Sequence, residues 1–338
     1  MKLKIHKYTV RILLVSVGVL VLGISLFSLL SWWETHRSVA ASESSRFQNN
    51  ETEVVYFKGM PYSLRRDLET VLLLGVDKYV ADTDAESYNN TEQADFLMLL
   101  IVDHQNKTYS ALQLNRDTMT EITMLGVRGE KAGSFTGQLA LAHTYGDGGK
   151  DSCRNTVEAV SNLLYGIGID HYVALTMDAV PIINDLSGGV QIEMLEDFSS
   201  IDPAMNKGNV VTLQGNQALI YVQTRKGLDD STNLSRMVRQ QQYLNALSVK
   251  IQDCVERDED FMFSAATQIS PYMESDYTIE QLSSLFETTE TYQKLGIDTI
   301  EGEAVQGEKY IEYYADENDL RSFVIDHFYE PYAETEPS

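Results

Sequence analysis

Cysteine is nearly absent from this 338-residue chain: Cys153 and Cys254 are the whole supply, and neither sits in a Cys-x-x-Cys pair. That excludes a thiolate zinc site, which needs several closely spaced sulfurs. Positive charge is scarce too, with 26 Lys and Arg against 50 Asp and Glu, a formal charge of −24. Neutralising a phosphate backbone takes a basic face, so the balance argues against nucleic acid as a partner. His143 and His171 lack metal-ligand spacing and read as structural, and His6 belongs to a basic amino-terminal flank. There is no G-x-S-x-G elbow for acyl chemistry. The glycine pairs at 148–149 and 188–189 fit neither a P-loop nor a dinucleotide fingerprint and read as turn or cap material. There is no internal repeat. Without a nucleophile beside an evident base, the chain points to chemistry between bound substrates that the protein positions and polarises.

What is present begins with Ile12 to Trp33, an almost wholly apolar stretch. About 22 residues at roughly 1.5 Å each reach about 33 Å, enough to span a bilayer. The basic residues Lys2, Lys4, Lys7 and Arg11 precede it, and Trp32 and Trp33 close it. This predicts a cytoplasmic segment 1–11, an uncleaved transmembrane anchor 12–33 and an exported remainder. Residues 34–61, polar and rich in small side chains, read as a linker. The folded part is expected from Tyr62, as a domain over 62–257, an α/β extension over 258–332 that packs on or continues it, and a tail over 333–338. In an exported domain Cys153 and Cys254, both on or beside predicted helices, are expected to form a disulfide.

Val71 to Val76, Phe96 to Val102 and Thr108 to Leu114 read as strands, and their continuous apolar character implies a sheet covered on both faces. Gln138 to Tyr145 and Asn155 to Leu164 have helical periodicity, as does Ala179 to Leu186. From Leu234 onward Met237, Leu244, Leu247, Ile251 and Val255 recur at helical spacing. The fold class is α/β: an α-β-α sandwich around a mixed sheet.

Three places suggest chemistry. Asp77 ends one apolar strand and Asp95 begins the next; antiparallel pairing would bring both acids to one sheet edge, where they either hold a hard divalent cation or simply cap turns. Arg116 and Asp117 follow the third strand. In the long helix, Gln240 falls inside the apolar sector and Arg236 at its edge, near a helix start that suits an anion. They either form a phosphate clamp or lie on a solvated face.

Taken in order, LLLGVD (72–77), ADFLMLLIVD (94–103), LNRDT (114–118), LALAHTYGDGG (139–149), INDLSGGVQIEM (183–194), LQGNQALIYVQTR (213–225) and SRMVRQQQYL (235–244) resemble the LytR–CpsA–Psr family of Gram-positive cell-envelope proteins. The resemblance covers about residues 70 to 255. It implies a sandwich whose apolar interior holds a polyprenyl chain, with the pyrophosphate at the mouth. It also implies transfer of a glycopolymer of the teichoic acid or capsular polysaccharide type from that carrier to peptidoglycan outside the cytoplasmic membrane. Asp77 and Asp95 fall at the family's positions for magnesium (or manganese). Arg116, Arg225, Arg236 and Gln240 fall at pyrophosphate positions; the resemblance also implies substrate binding by Arg239, in the adjoining motif, and by Gln93 and Gln223, and makes Arg116 and Asp117 the catalytic RD pair, Asp117 in support or in proton transfer. Two positions depart from the pattern: Gln93 and Gln223 stand where arginine is usual. Glutamine cannot match a guanidinium on a pyrophosphate, so a non-catalytic polyprenyl-phosphate carrier or sensor is the alternative reading.

Overall fold

The computed structural model describes residues 54–77, 92–126, 128–258, 261–289 and 291–332. The segments called cytoplasmic, transmembrane and tail, and most of the linker, lie outside the described residues. Along the chain run β1 (Val54–Phe57), β2 (Met60–Leu64), β3 (Leu68–Val76), β4 (Ala94–Asp103), β5 (Thr108–Leu114), β6 (Met119–Leu125) and β7 (Lys131–Gln138). A 3-10 helix (Leu139–Thr144) leads to α1 (Lys150–Leu163), β8 (His171–Thr176), α2 (Ala179–Leu186), β9 (Val190–Glu193) and β10 (Val210–Leu213). Then come α3 (Asn216–Gln223), α4 (Asn233–Arg257), α5 (Phe261–Ile269), β11 (Met273–Ser275) and α6 (Ile279–Thr289). The chain closes with β12 (Gln293–Thr299), β13 (Gly302–Gln306), β14 (Ile311–Ala315), α7 (Glu317–Phe328) and β15 (Tyr329–Pro331).

Six strands form the central sheet in the order β11-β8-β3-β4-β5-β12. β3, β4 and β5 run antiparallel to one another, while β8 joins β3 and β12 joins β5 in parallel, so the sheet is mixed. Because side chains alternate along a strand, the unbroken apolar runs serve two faces at once. Leu72, Leu74, Leu97 and Leu99 pack with Ala159 and Val160 of α1 and with Leu320, Phe323 and Val324 of α7. Val71, Leu73, Met98 and Leu100 pack on the other side with Leu282 and Leu285 of α6 and with Leu244 of α4. A further core joins α2, α3, α4 and α5 to β9 and β10 through Ile183, Ile192, Tyr221, Leu247 and Ile251. The three-layer α/β/α arrangement follows directly. Gly75 is required where β3 meets the α2 side: a Cβ there would lie 2.9 Å from both Met177 Sδ and Phe96 Cβ.

Several expectations are corrected. Residues 54–61, assigned to the linker, form β1 and the start of β2, which pair with each other and with β15. The helix expected over 138–145 is the end of β7 followed by the 3-10 turn. The β6–β7 hairpin carries no strong apolar alternation, since most of β7 is exposed. The cysteines are both free. Cys153 is buried in the core under α1, and Cys254 donates to the Ser187 carbonyl at 3.6 Å, packed against the separate α2–α5 core. The segment 258–332 supplies both edge strands of the central sheet, β11 and β12, and buries α7 in the core. Among the described residues no helix is long and apolar enough to cross a membrane.

Candidate active site

The site forms where β3 and β5 end and β4 begins. Val76 pairs with Ala94 across the antiparallel β3–β4 ladder, and Asp77 N donates to the Gln93 carbonyl at 3.1 Å. Asp77 and Asp95 therefore share one edge. Burial first, and then the Asp95 charge, push the Asp77 carboxyl above the ordinary carboxylate range. They outweigh the opposing effects of the Gln223 amide, which donates to Asp77 Oδ1 at 3.0 Å, and of Arg116.

After β5 the chain turns at Asn115–Thr118, where Thr118 N donates to the Asn115 carbonyl at 3.0 Å. The turn is fixed from outside as well, by Ala140 N on the Arg116 carbonyl and by Tyr313 N on the Asp117 carbonyl, each at 2.9 Å. These bonds leave little backbone freedom under two charged side chains. Arg116 pairs with Asp95 and also donates to Gln93 Oε1. Its Nε is buried with no hydrogen-bond partner, the nearest carboxylate oxygen being Asp117 Oδ1 at 3.7 Å. Asp117 accepts from Arg225 Nη1 at 2.7 Å and from Gln138 Nε2 at 3.1 Å.

The third arginine arrives from α4. Thr232 caps this helix, accepting from Ser235 N at 3.2 Å, and places Arg236 in its first turn. Arg236 is only 2% exposed, and its Nη1 lies 3.3 Å from Asp95 Oδ1. Burial, opposed by Asp95 but reinforced by the charges of Arg116 and Arg225, lowers its pKa. Three guanidiniums thus gather around Asp95 and Asp117, with Asp77 at the same sheet edge as a third carboxylate. The guanidinium N–H groups are the donors that an anion would take.

Gln240, one turn further along α4, lies at the border of this cluster. It accepts from Gln113 Nε2 at 3.0 Å and donates to the Val222 carbonyl at 3.1 Å. It also lines an apolar cleft with Gly75, Phe96, Met177, Val180 and Leu247. The charged cluster and the cleft meet at this residue.

Arg239 does not join them. It is fully buried, its Nε is 2.8 Å from Glu196 Oε2, and its Nη groups donate to the carbonyls of Tyr221 and Thr224. Its guanidinium lies over the Phe198 and Tyr221 rings at 5.2 and 5.8 Å. The substrate-binding role expected of it is corrected: every donor nitrogen faces protein, so it fixes the end of α3 against α4. Sequence reasoning missed Asn115, Asn233, Gln138 and Gln113: Asn233 bonds Arg236 and Asn115, Asn115 accepts from Asp117 N, Gln138 donates to Asp117, and Gln113 donates to Gln240. Their one signal was adjacency, Asn115 to the RD pair and Asn233 to the start of α4. Among the described residues no group of three or more His, Cys, Asp or Glu is arranged to hold a metal alone.

The sequence profile of the LytR_cpsA_psr family matches residues 30–325. The polyisoprenyl-teichoic acid–peptidoglycan teichoic acid transferase TagV of Bacillus subtilis (strain 168) is 30% identical over 220 residues, which are 63% of this chain and 49% of TagV. The corresponding TagU of Bacillus licheniformis is 25% identical over 248 residues, 73% of this chain and 71% of that protein. The matches span about half the length of the first curated relatives. Among solved structures, B. subtilis TagV superposes with a TM-score of 0.57 at 25% identity, covering 78% of this chain and 98% of that one. TagT bound to LIIa-WTA gives 0.55 at 20% identity, covering 77% and 89%, a likeness of fold.

Proposed function

The chain belongs to the LytR–CpsA–Psr family, and from that premise we propose that it transfers a phosphate-linked glycopolymer from a polyprenyl pyrophosphate carrier to peptidoglycan. The observation that carries this reading is that Arg236, clustered with Arg116 and Arg225 about Asp95 and Asp117, stands one helical turn from Gln240 of the apolar cleft. A prenyl pyrophosphate needs both halves: apolar walls for the tail, and fixed cations for a head that cannot shed its charge. Teichoic acid is the favoured cargo, because it is the one named for the relatives TagV and TagU.

In the proposed reaction an acceptor hydroxyl of peptidoglycan attacks the phosphorus that bears the glycopolymer. The bond from that phosphorus to the bridging oxygen breaks, polyprenyl phosphate leaves, and the hydroxyl proton is lost. Arg116 and Arg236 stabilise the charge developing on the phosphoryl oxygens, exchanging Asp95 for the substrate as partner. Arg225 is steered by Asp117, which Gln138 holds in turn, so we assign Asp117 to positioning.

Asp77 and Asp95 fit a magnesium ion, or manganese. Two adjoining carboxylates, one held above its ordinary value by burial and by its neighbour, gain from a divalent charge. Magnesium uses one or two carboxylates and completes its shell with water and phosphate oxygens. Such an ion supplies charge neutralisation at the pyrophosphate. Gln223 donates to Asp77 without neutralising it, as an arginine would, and so leaves that carboxylate available. Residues 12–33 anchor the proposed enzyme in the cytoplasmic membrane, with the domain on the outer side.

Reconstitution tests this. Full-length protein given a polyprenyl-pyrophosphate-linked teichoic acid precursor, peptidoglycan and magnesium should form a covalent polymer–peptidoglycan product and release polyprenyl phosphate. Tight binding without product, persisting in Gln93→Arg/Gln223→Arg protein, would replace the enzyme with the carrier reading that those two glutamines favour.

A further inference from the structure

Arg236 is aimed at the site by a neighbour that no pattern in the sequence marks. Its Nε and Nη2 both donate to Oδ1 of Asn233, at 3.0 and 2.5 Å. Asn233 donates from Nδ2 to Asn115 Oδ1 at 2.7 Å, and that same oxygen accepts the backbone N–H of Asp117 at 3.0 Å. Both asparagines are buried. One continuous chain of amides therefore ties the turn after β5 to the first turn of α4 and to the guanidinium. Two of the three guanidinium nitrogens are committed to it. Nη1 alone turns to Asp95, at 3.3 Å, and to the Gln223 carbonyl, at 3.5 Å.

That residue 233 is an amide has an electrostatic consequence. A carboxylate there would accept the same two N–H groups, but it would also form a buried ion pair and cancel the cation. An amide holds the planar fork by hydrogen bonding and leaves the charge in place. Lysine at 236 would find one acceptor here instead of a fixed fork, which is why the arrangement suits arginine.

We propose that Asn233, itself held by Asn115, is a positioning residue: it fixes the direction of Arg236 Nη1 and keeps the guanidinium charge free for the substrate pyrophosphate. This rests on the pyrophosphate reading of the site.

The test uses the full chain in detergent, with farnesyl pyrophosphate and magnesium as the probe, measured by calorimetry. Losing the aim of one charge-assisted contact should weaken binding about tenfold in Asn233→Ala. The Arg236 Nε–H resonance, protected in the wild type, should vanish in the same variant. Asn233→Asp is the discriminating change. It keeps the acceptor for the guanidinium and adds an ion pair, at the loss of the Nδ2 donation to Asn115 Oδ1, so the Arg236 Nε–H should stay protected and thermal stability should exceed that of Asn233→Ala while affinity falls at least as far. A purely structural role would move stability and affinity together. In an Arg236→Ala background, Asn233→Ala should cost no further affinity.

Wild-type affinity in folded Asn233→Ala or in Asn233→Asp, or additive losses in the double variant, would overturn the positioning role. If Asn233→Ala fails to fold, Asn233→Asp carries the same comparison. Unchanged affinity in Arg236→Ala would remove the pyrophosphate reading and this proposal with it, a failure visible before any Asn233 variant is made.

Discussion

At the Leu68 end of the central sheet, Arg65 donates to Asp103 at 2.6 Å and to Asp67 at 2.7 Å, while Asn106 gives Asp103 two further bonds. Beside them Glu69 accepts from Tyr277 Oη at 2.6 Å and meets His104 Nε2 at 2.8 Å. At the Asp77 end, three arginines share Asp95 and Asp117 beside a third carboxylate, Asp77, and Arg116 Nε finds no partner. Both ends bury charge, but Asp103 is held by Arg65 and Asn106, whereas Asp77 has a neutral amide and a like charge beside it. Burial alone would raise the Asp103 carboxyl; the Asn106 and Arg65 bonds outweigh it and hold the group below its ordinary value. The Asp77 carboxyl is pushed the other way. Charge that is settled stabilises a fold, and charge left unsettled marks the end kept for a ligand.

The largest effect expected from this contrast is an exchange of function for stability. Arg236→Ala should cost prenyl pyrophosphate affinity by about ten- to a hundredfold, from the loss of a charge-assisted contact worth about 1.5–3 kcal/mol. It should leave the unfolding midpoint unchanged or higher. Asp103→Asn should do the reverse, losing about 2 kcal/mol of stability in denaturant titrations at unchanged affinity. If both variants moved both quantities, the two ends would not differ in kind.

A smaller effect lies in the pH dependence of melting with a chelator present. Asp103, lower in the folded state, contributes stability that is present above its ordinary value near 3.8 and is lost as pH falls through the folded value. Asp77, raised in the folded state, does the opposite: its ionisation opposes folding, so its contribution falls as pH rises above 3.8. Asp103→Asn should therefore flatten the acid limb, and Asp77→Asn should raise stability at neutral pH. Magnesium should erase the Asp77 advantage, because the ion supplies the missing charge.

The smallest effect concerns His171, which stacks on Tyr277 with ring centroids 3.9 Å apart and lies 3.4 Å from Asp276. The Asp276 carboxylate 3.4 Å away, against the cost of burial, raises its pKa. Its stabilisation should be complete below about 6.5 and disappear as pH rises through the folded value. Half-buried pairs are worth under about 1 kcal/mol, so His171→Asn should shift melting slightly at pH 6 and hardly at pH 9. An equal shift at both values would assign the residue to packing instead.

The layered fold was legible because VLLLGV and FLMLLIV have no polar side to turn to water, which leaves a sheet covered on both faces as their only home. Asp77 and Asp95 were legible as strand ends, and antiparallel pairing then brought them together. What stayed hidden lies in neutral side chains and in partners without period. Glu196, which claims Arg239, sits in a loop between β9 and β10 that carries no pattern. The amides of Asn115, Asn233 and Gln138 have no charge to stand against the acidic background. The expected disulfide failed for a related reason: helical placement gives each cysteine a face, yet says nothing of which core that face meets.

The central sheet is bordered on both sides by strands that follow its other four in sequence, β11 against β8 and β12 against β5. A chain that leaves the ribosome amino terminus first has β3, β4, β5 and β8 in hand while both borders are still missing. Their unpaired N–H and C=O rows would template other chains, as open borders do. Completion of the sheet thus waits for residues 273–299, and pairing across long sequence separations makes it slow. A chain cut near residue 258 would keep two open sheet borders, so the segment that follows guards the sheet against pairing with other chains.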